Sequence, residues 1–237
     1  MSQPARIRLE DVVKHYRTGA GVVRAVDGIS LELEPGSSVA VTGPSGCGKS
    51  TLLGLIGGLE TPTRGRVVLG EQEISELPER ERARVRREEI GFLFQSDDLL
   101  PFLTAAENVA LQLALHGEQG GGERGLQLLA SLGLADHADK LPDQLSGGQR
   151  QRVGMARALV HRPGVILADE PTGELDRAAS EAVVDLLLAA QRETGLTLVV
   201  VTHDAELAER MDRTVRLRDG RLAEAGEPLS EGVAGGA

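Results

Sequence analysis

Residues 43–51 constrain this chain more than any other segment, because they match the G-x-x-x-x-G-K-[ST] pattern of a phosphate-binding loop. The apolar runs 38–42 and 52–56 predict the strand before the loop and the helix after it that this pattern requires. Glycines let the backbone turn its N–H groups inward, and the helix start adds further donors. We therefore expect nucleotide contacts from Gly43, Pro44, Ser45, Gly46, Cys47, Gly48, Lys49, Ser50 and Thr51.

Two side chains of this loop have distinct predicted roles. Lys49 can reach the β- and γ-phosphates of a nucleotide, and the Ser50 hydroxyl can ligate Mg²⁺. The alternative is a glycine-rich turn that matches the pattern by accident, which the flanking strand and helix patterns disfavour. The sequence therefore predicts a nucleoside triphosphate and Mg²⁺ as ligands.

Length and composition limit the class of protein. The 237 residues are 41% hydrophobic and 26% charged, as in soluble globular proteins, and suffice for one large domain or two small ones. No segment approaches the roughly 18 apolar residues of a membrane span, and the N-terminus lacks the apolar stretch of a signal peptide. The net charge of −10 and the aromatic content of 2% argue against nucleic acid as a partner.

Apolar patterning predicts an α/β protein with a β-rich N-terminal third. Residues 7–10 and 29–33 alternate apolar and polar side chains, as half-buried strands do. Runs of apolar and β-branched residues at 90–94, 165–169 and 196–202 indicate buried strands. Helical patterns separate these runs, so we expect a mainly parallel core sheet that is covered on both faces.

The middle of the chain, from about residue 104 to residue 158, has a helical pattern. Within it, the glycine-rich residues 117–125 are predicted to form a mobile loop. Residues 78–89 are dense in Arg and Glu and predict a helix whose exposed face is either solvated or a docking surface. Residues 226–237 are small and polar, which predicts a flexible tail.

Acidic residues and a histidine follow two of the predicted core strands. Asp169 ends one apolar run and can orient Mg²⁺ or its waters, while Glu170 can polarise a water for attack on the γ-phosphorus. His203 follows the run 196–202, where a γ-phosphate contact is expected. The plain alternatives are a solvated acidic pair and a structural histidine.

A second anion site is predicted at residues 145–149, Leu-Ser-Gly-Gly-Gln. Ser146 is a good helix N-cap, and the two glycines after it leave backbone N–H groups accessible. Physical chemistry alone does not identify the phosphate that this site would bind.

This segment and the Arg-Gln-Arg after it resemble the signature motif of ATP-binding-cassette (ABC) ATPases. The other motifs of that family occur here in its usual order, and the resemblance covers about residues 6–225. It implies a P-loop NTPase (RecA-like) core, an N-terminal antiparallel β subdomain and an inserted α-helical subdomain at about 96–158. All of these would form a single nucleotide-binding domain, residues 1–225.

The resemblance also implies how ATP is held between two copies of the chain. Tyr16 is expected to stack on adenine, with a simple strand aromatic as the alternative, and Asp176 is expected across the dimer seam. Glu174 departs from the small or amide residue usual at its position, which leaves the contact there open. The expected contacts to the ATP of the opposite subunit are Ser146, Gly147, Gly148 and Gln149.

Catalysis is assigned by the same resemblance. Glu170 is the expected general base, His203 the γ-phosphate switch, and Lys49 the cation on the phosphates. Gln95 is expected to sense Mg²⁺ and the attacking water and to couple the site to a membrane partner. The expected Mg²⁺ ligands are Ser50, Gln95 and Asp169.

One branch of the family serves macrolide exporters, lipoprotein-release complexes and the cell-division ATPase. This chain is similar to that branch at Gln95, Leu99-Leu100-Pro101, Thr104 and Glu107-Asn108-Val109. This branch implies a homodimer that drives an integral-membrane permease from the cytoplasmic face of the inner or plasma membrane. A regulatory clamp that relays a signal through its membrane partner is the alternative. A soluble DNA-repair or translation protein is disfavoured because neither a coiled-coil insertion nor a second cassette is visible.

Overall fold

The structure is a computed structural model that describes residues 3–19, 21–95, 99–117 and 122–223. The predicted flexible tail at 226–237 lies outside the described residues, and so does part of the predicted loop at 117–125.

Strands and helices are numbered in chain order. The strands are β1 (Ile7–Thr18), β2 (Gly21–Leu33), β3 (Ser38–Thr42), β4 (Arg64–Leu69), β5 (Gln72–Glu73), β6 (Ile90–Leu93), β7 (Val165–Asp169), β8 (Thr197–Val201), β9 (Arg213–Arg218) and β10 (Arg221–Leu222). The helices are α1 (Lys49–Ile56), α2 (Glu79–Glu89), α3 (Ala105–Leu115), α4 (Gly122–Ser131), α5 (Gly147–Leu159), α6 (Arg177–Thr194) and α7 (Ala205–Glu209).

Two sheets organise the described part of the chain. The first is a four-stranded antiparallel sheet with the strand order β2-β1-β4-β5. The second is a six-stranded sheet with the order β10-β9-β3-β8-β7-β6, in which only β10 runs antiparallel to its neighbour. This arrangement confirms the predicted α/β class with an antiparallel N-terminal sheet and a mainly parallel core sheet.

The core sheet is buried on both faces because alternate side chains of its strands enter two different cores. Along β8, Val199 packs in one hydrophobic cluster with Leu52 of α1, whereas Val200 packs in the other with Val153 of α5. Successive side chains of a strand point to opposite faces, so one β-branched run supplies both clusters. This is why β8 reads as a continuous apolar run rather than an alternating one.

Two predicted boundaries differ from the structure. β1 and β2 are much longer than the predicted strands, because they pair with each other from Ile7↔Leu33 to Thr18↔Gly21 even where their side chains are exposed. The predicted loop at 117–125 is wrong at its end, since α4 begins at Gly122. Gly125 is buried in this helix, where an added Cβ would lie 3.3 Å from Val109 of α3.

Helices α3, α4 and α5 lie between β6 and β7 in the chain and form the described part of the predicted helical subdomain. The limits at 96–158 and the domain boundary at 225 stay predictions. No helix in the described ranges is long and apolar enough to cross a lipid bilayer.

The C-terminal half of α5 approaches β6 very closely at Gly91. A Cβ on this residue would lie 2.3 Å from the carbonyl oxygen of Ala158 and 2.4 Å from Cδ1 of Ile166. Both contacts are shorter than non-bonded atoms tolerate, so only glycine allows the observed distance between helix and sheet. The position of α5, and of the Ser146 cap at its start, depends on this contact.

We predict that Gly91→Ala destabilises the protein by about 1–3 kcal/mol, the usual cost of overpacking a core. The added methyl group must displace the backbone of α5, because the atom it meets is the Ala158 carbonyl oxygen and no side-chain rotation can relieve this clash. Urea denaturation followed by circular dichroism measures the change. Gly122→Ala is the matched control because no atom of the described residues, beyond its neighbours in α4, lies within 4 Å of its Cβ position, so stability should stay nearly unchanged. Equal midpoints for Gly91→Ala and wild type would contradict the packing argument.

Candidate functional site

The carboxyl ends of adjacent parallel strands bring the predicted site residues to one edge of the core sheet. β3 leads into the loop 43–48 and β8 leads to His203, while β7 ends at Asp169 and β6 leads to Gln95. In open α/β sheets, ligands bind at this edge. Residues that are far apart in the sequence therefore lie along one rim.

The glycines of the phosphate loop meet two requirements. Gly43, Gly46 and Gly48 have φ angles of 152°, 76° and 104°, which residues with a side chain rarely adopt. A Cβ on Gly48 would also lie 1.9 Å from the carbonyl oxygen of Ala25, and one on Gly43 would lie 2.2 Å from that of Leu217. The loop is thus wedged between β2 and β9, and packing as well as turn geometry excludes larger residues.

Helix α1 starts at Lys49 and directs its donors to the loop. Its N-cap, Gly48, offers no side-chain hydrogen bond, and the first turn contains no acidic residue. The exposed N–H groups and the positive helix end therefore favour an anion. Lys49 Nζ donates to the carbonyl oxygens of Gly43 and Pro44, at 2.8 and 3.0 Å. The ammonium is held over the loop, where phosphate oxygens can take the place of these carbonyls.

Asp169 and Ser50 form a polar pair beside the loop. The Ser50 hydroxyl lies close enough to the carboxyl group of Asp169 to lower its pKa. Burial raises the pKa of Asp169, and the charge of Glu170 adds to this rise, whereas Ser50 and Lys49 oppose it. Hydroxyl and carboxylate oxygens are the ligands that Mg²⁺ prefers, usually together with water and substrate phosphates. The residues present at this position fit Mg²⁺.

The side chains of Glu170 and His203 contact each other at the turn after β7. The Glu170 backbone has a φ of 47°, an uncommon value for a residue with a side chain, and its N–H donates to the Val201 carbonyl at 2.9 Å. His203 Nδ1 lies 2.8 Å from Glu170 Oε2, which also accepts from the His203 backbone N–H at 3.3 Å. The carboxylate is 14% exposed and the imidazole 71%, so the histidine lies on the solvent side of the pair.

Gln95 lies against the turn that follows Glu170. A Cβ on Gly173 would lie 2.9 Å from Gln95 Nε2, so the side chain rests on this glycine. The preceding carbonyl, that of Phe94, accepts from Gln151 Nε2 of α5 at 3.4 Å. Gln95 therefore contacts the turn that follows Glu170, and the residue before it, Phe94, is hydrogen-bonded to α5.

Ser146 caps α5 as predicted. Its Oγ accepts from the Gln149 backbone N–H at 3.3 Å, and Gln149 Oε1 accepts from the Ser146 N–H at 2.8 Å, which completes a capping box. Because the Ser146 oxygen is the acceptor in this bond, its hydroxyl proton can be donated to a phosphate. The Gln149 side chain stabilises the helix start.

The start of α5 packs against the start of α6. A Cβ on Gly147 would lie 3.5 Å from Cδ2 of Leu175, and one on Gly148 would lie 3.1 Å from Cβ of Ala179. Asp176 caps α6, since its Oδ1 accepts from the Ala179 N–H at 2.8 Å. This carboxylate thus has a role within its own chain, and its contact across a dimer seam stays a prediction.

Tyr16 lies in the antiparallel sheet, beside the strand that touches the loop. It pairs with Val23 of β2, and the same strand supplies Ala25. Val22 and Val23 are 60% and 51% exposed, and Lys14 Nζ lies 5.0 Å from the centroid of the Tyr16 ring. An aromatic and aliphatic surface of this kind suits a flat base, although adenine stacking stays a prediction.

Sequence reasoning missed the residues that support the loop from behind. The Gly220 N–H donates to the Cys47 carbonyl at 3.1 Å, and a Cβ on Gly220 would lie 2.9 Å from the carbonyl oxygen of Arg24. The Cys47 thiol is buried, and burial raises its pKa, so it is a packing group. These contacts join distant segments, and no local pattern marks them.

A wedged phosphate loop at the carboxyl edge of a parallel sheet, with an Asp–Glu pair on a nearby strand, defines a P-loop nucleoside triphosphatase. The profile of the ABC transporter family matches residues 26–173. The chain therefore belongs to the ABC transporter family, and its fold is that of the family's ATP-hydrolysing cassette.

Relatives cover most of this chain. It is 44% identical over 215 residues to the lipoprotein-releasing system ATP-binding protein LolD of Legionella pneumophila, covering 90% of this chain and 95% of that protein. It is 43% identical over 224 residues to LolD of Pseudomonas fluorescens, covering 94% and 99%. It is also 45% identical over 231 residues to the macrolide export ATP-binding/permease protein MacB of Syntrophobacter fumaroxidans. This match covers 96% of this chain but only 32% of MacB.

Solved structures agree with these relatives. The dimeric ATP-binding cassette MJ0796, in a post-hydrolysis state bound to ADP and Pi, has a TM-score of 0.87 and 41% identity, covering 92% of this chain and 97% of that chain. A second dimeric structure of MJ0796, described as a bacterial ABC transporter cassette, has a TM-score of 0.87 and 42% identity.

We predict that Asp169→Asn raises the thermal stability of the nucleotide-free protein at neutral pH while removing Mg²⁺-dependent ATP turnover. Burial raises the pKa of Asp169, so ionisation costs more free energy in the folded state than in the unfolded state. This cost is present above the raised pKa and disappears below the ordinary value of 3.8, where both states hold the proton. Thermal melts at neutral pH and near pH 4 measure the difference, which should shrink in acid. A variant less stable than wild type at neutral pH would contradict the prediction.

Proposed function

We propose that this chain is the ATP-hydrolysing subunit of a membrane complex that exports or extrudes a lipid, lipoprotein or similar substrate. The observation that carries the proposal is the near end-to-end likeness to LolD, of which this chain covers 95% in one relative and 99% in another. The permease would be a separate integral-membrane protein, and this chain would bind it at the cytoplasmic face of the inner or plasma membrane. Likeness to the ATP-binding part of MacB supports the same branch.

Two copies of the chain would close head to tail on two ATP molecules. The dimeric structures of the MJ0796 cassette support this pairing. Each site would combine the phosphate loop of one copy with the start of α5 of the other. There, Ser146 would donate its hydroxyl proton to the γ-phosphate, and Gly148 would offer its N–H group. Gly147, Gln149 and Asp176 would shape the same seam.

Within one copy, Lys49 would leave the carbonyls of Gly43 and Pro44 and bind the β- and γ-phosphates instead. Ser50, Asp169 and Gln95 would hold Mg²⁺, directly or through its waters. Bound there, Mg²⁺ would neutralise the charge that develops on the phosphate oxygens. The closeness of the Ser50 hydroxyl to the Asp169 carboxyl group, which is enough to influence the pKa of Asp169, supports this assignment.

Glu170 would act as the general base, and His203 would contact the γ-phosphate. Their contact supports this division of roles: Oε2 of the Glu170 carboxylate lies beside His203 Nδ1, and the Glu170 backbone has a left-handed conformation. Phosphoryl transfer needs mainly positioning and charge neutralisation, which such a fixed pair supplies. Loss of the γ-phosphate would remove the bridge between the two copies, and the dimer would then reopen.

We predict that Glu170→Gln retains ATP binding, lowers ATP turnover by about 100-fold or more, and accumulates an ATP-bound dimer. The amide keeps the size of the side chain but cannot accept the proton of the attacking water. Phosphate release and size-exclusion chromatography with ATP measure the two effects. Lys49→Ala is the contrasting variant, because it should lose ATP binding and therefore dimerisation as well. Turnover near the wild-type rate in Glu170→Gln would remove Glu170 as the base.

A groove beside β6 is the surface that we propose for the permease. Its volume is about 550 Å³, and its lining includes the exposed side chains of Leu59 and Leu115 together with Phe94. Since Phe94 precedes Gln95, an occupant of the groove would touch the segment that leads to the site. The arginines Arg86 and Arg87 also line the groove, which favours an amphipathic permease helix that carries acidic residues.

We predict that Leu115→Lys lowers the affinity of the cassette for its permease by about tenfold or more while leaving its own ATP turnover unchanged. Leu115 is 55% exposed at the end of α3, so a lysine at this position should not prevent folding. It would, however, add a positive charge to a groove that is lined by apolar side chains and arginines. Binding to the purified permease in detergent measures the effect. Leu126→Lys is the matched control, because Leu126 is 47% exposed on α4 and does not line the groove. Equal binding by both variants would contradict the assignment.

A further inference from the structure

Two histidines form a contact between helix ends, at the inner wall of the groove. His116 is the C-cap of α3, and His161 follows the end of α5. Their ring centroids lie 4.7 Å apart and the rings are tilted by 33°. His161 also lines the groove, which connects the pair to solvent.

The ring nitrogens of this pair have unusual surroundings. His116 Nδ1 lies 2.7 Å from the carbonyl oxygen of Gln112, so this nitrogen is the donor, and in a neutral ring the lone pair is then on Nε2. His116 Nε2 and both ring nitrogens of His161 are buried and make no hydrogen bond of normal geometry, although the Ile90 backbone lies close enough to His161 to raise its pKa. His161 as a whole is only 8% exposed. Buried polar atoms of this kind are rare in proteins, and a bound ion is one of their common explanations.

His161 is neutral at physiological pH. Burial lowers its pKa to about 4, the neighbouring ring of His116 and the charge of Arg124 lower it as well, and only the Ile90 backbone acts in the opposite direction. A neutral imidazole is the form that ligates metal ions. Protons therefore compete little with a metal at this residue near neutral pH.

We propose that His116 and His161 form a binding site for a late first-row transition-metal ion such as Zn²⁺, with one ring nitrogen of each as a ligand. The hydrogen bond from His116 Nδ1 to a backbone carbonyl is the arrangement that orients metal-binding histidines. Imidazole nitrogen suits zinc, nickel and copper ions. No third His, Cys, Asp or Glu side chain joins the pair in the described ranges, so water from the groove completes the coordination.

A bound ion would tie the end of α3 to the end of α5. Ser146 caps the start of helix α5, and the groove is lined by His161 after this helix and by Leu115 at the end of α3. Metal binding would therefore stiffen the connection between the groove and the start of α5. This effect is independent of the proposed permease and of catalysis, and it is measured on the purified chain alone.

The test is a titration of the full, metal-free chain with Zn²⁺ at neutral pH against a chromophoric chelator. The His203→Ala variant is the starting protein, because the Glu170–His203 pair offers a second place where zinc can bind. We expect one Zn²⁺ ion per chain and a melting temperature that rises with the zinc concentration. X-ray absorption of the zinc-loaded protein should show two imidazole ligands.

Substitutions assign the ion to the pair. Both His116→Ala and His161→Phe, added to the same protein, should lower the zinc affinity by about tenfold or more and remove the thermal shift. His137→Ala is the matched control, since His137 also has a buried nitrogen without a partner but lies outside the pair. Absence of stoichiometric zinc, or equal affinity in all three variants, overturns the proposal. If His161→Phe fails to fold, the X-ray absorption spectrum of the zinc-loaded starting protein decides instead. A spectrum that shows fewer than two imidazole ligands also overturns the proposal.

Discussion

The rest of the site depends on the close packing of the phosphate loop between two backbone carbonyl groups. The carbonyl of Ala25 presses on Gly48 from the antiparallel sheet, and that of Leu217 presses on Gly43 from the core sheet. Neither position has room for a Cβ atom, so the loop can pack against both sheets only when Gly43 and Gly48 are glycines. Packing therefore fixes the backbone of the loop before any nucleotide arrives, and glycine turns of this kind can present N–H groups to a phosphate.

A second close packing sets the position of α5 at both of its ends. Near its C-terminus, the Ala158 carbonyl lies against Gly91 of β6, and at its N-terminus Gly147 and Gly148 lie against the start of α6. Since β6 leads to Gln95, the helix is fixed to the strand that enters the site. A rigid connection of this kind can carry a movement from the groove to the Ser146 cap without distortion of the sheet.

Local patterns predicted the parts of the site that depend on local geometry. The phosphate loop, the cap at Ser146 and the acidic end of β7 follow from short motifs, because turn and cap chemistry is a property of neighbouring residues. The contact of Gly220 with Cys47, the length of β1 and β2 and the His116–His161 pair were not predicted. Each of these depends on residues that meet only after the chain folds, and a single sequence carries no periodic signal for them.

The central claim is that each ATP site is built from two copies of the chain. Mixing two inactive variants, Lys49→Ala and Ser146→Arg, tests this most directly. In the mixed dimer, one site combines both defects, whereas the other combines an intact phosphate loop with an intact α5 start. The account predicts that ATP turnover reappears on mixing and increases with protein concentration. A mixture as inactive as its separate components would contradict it.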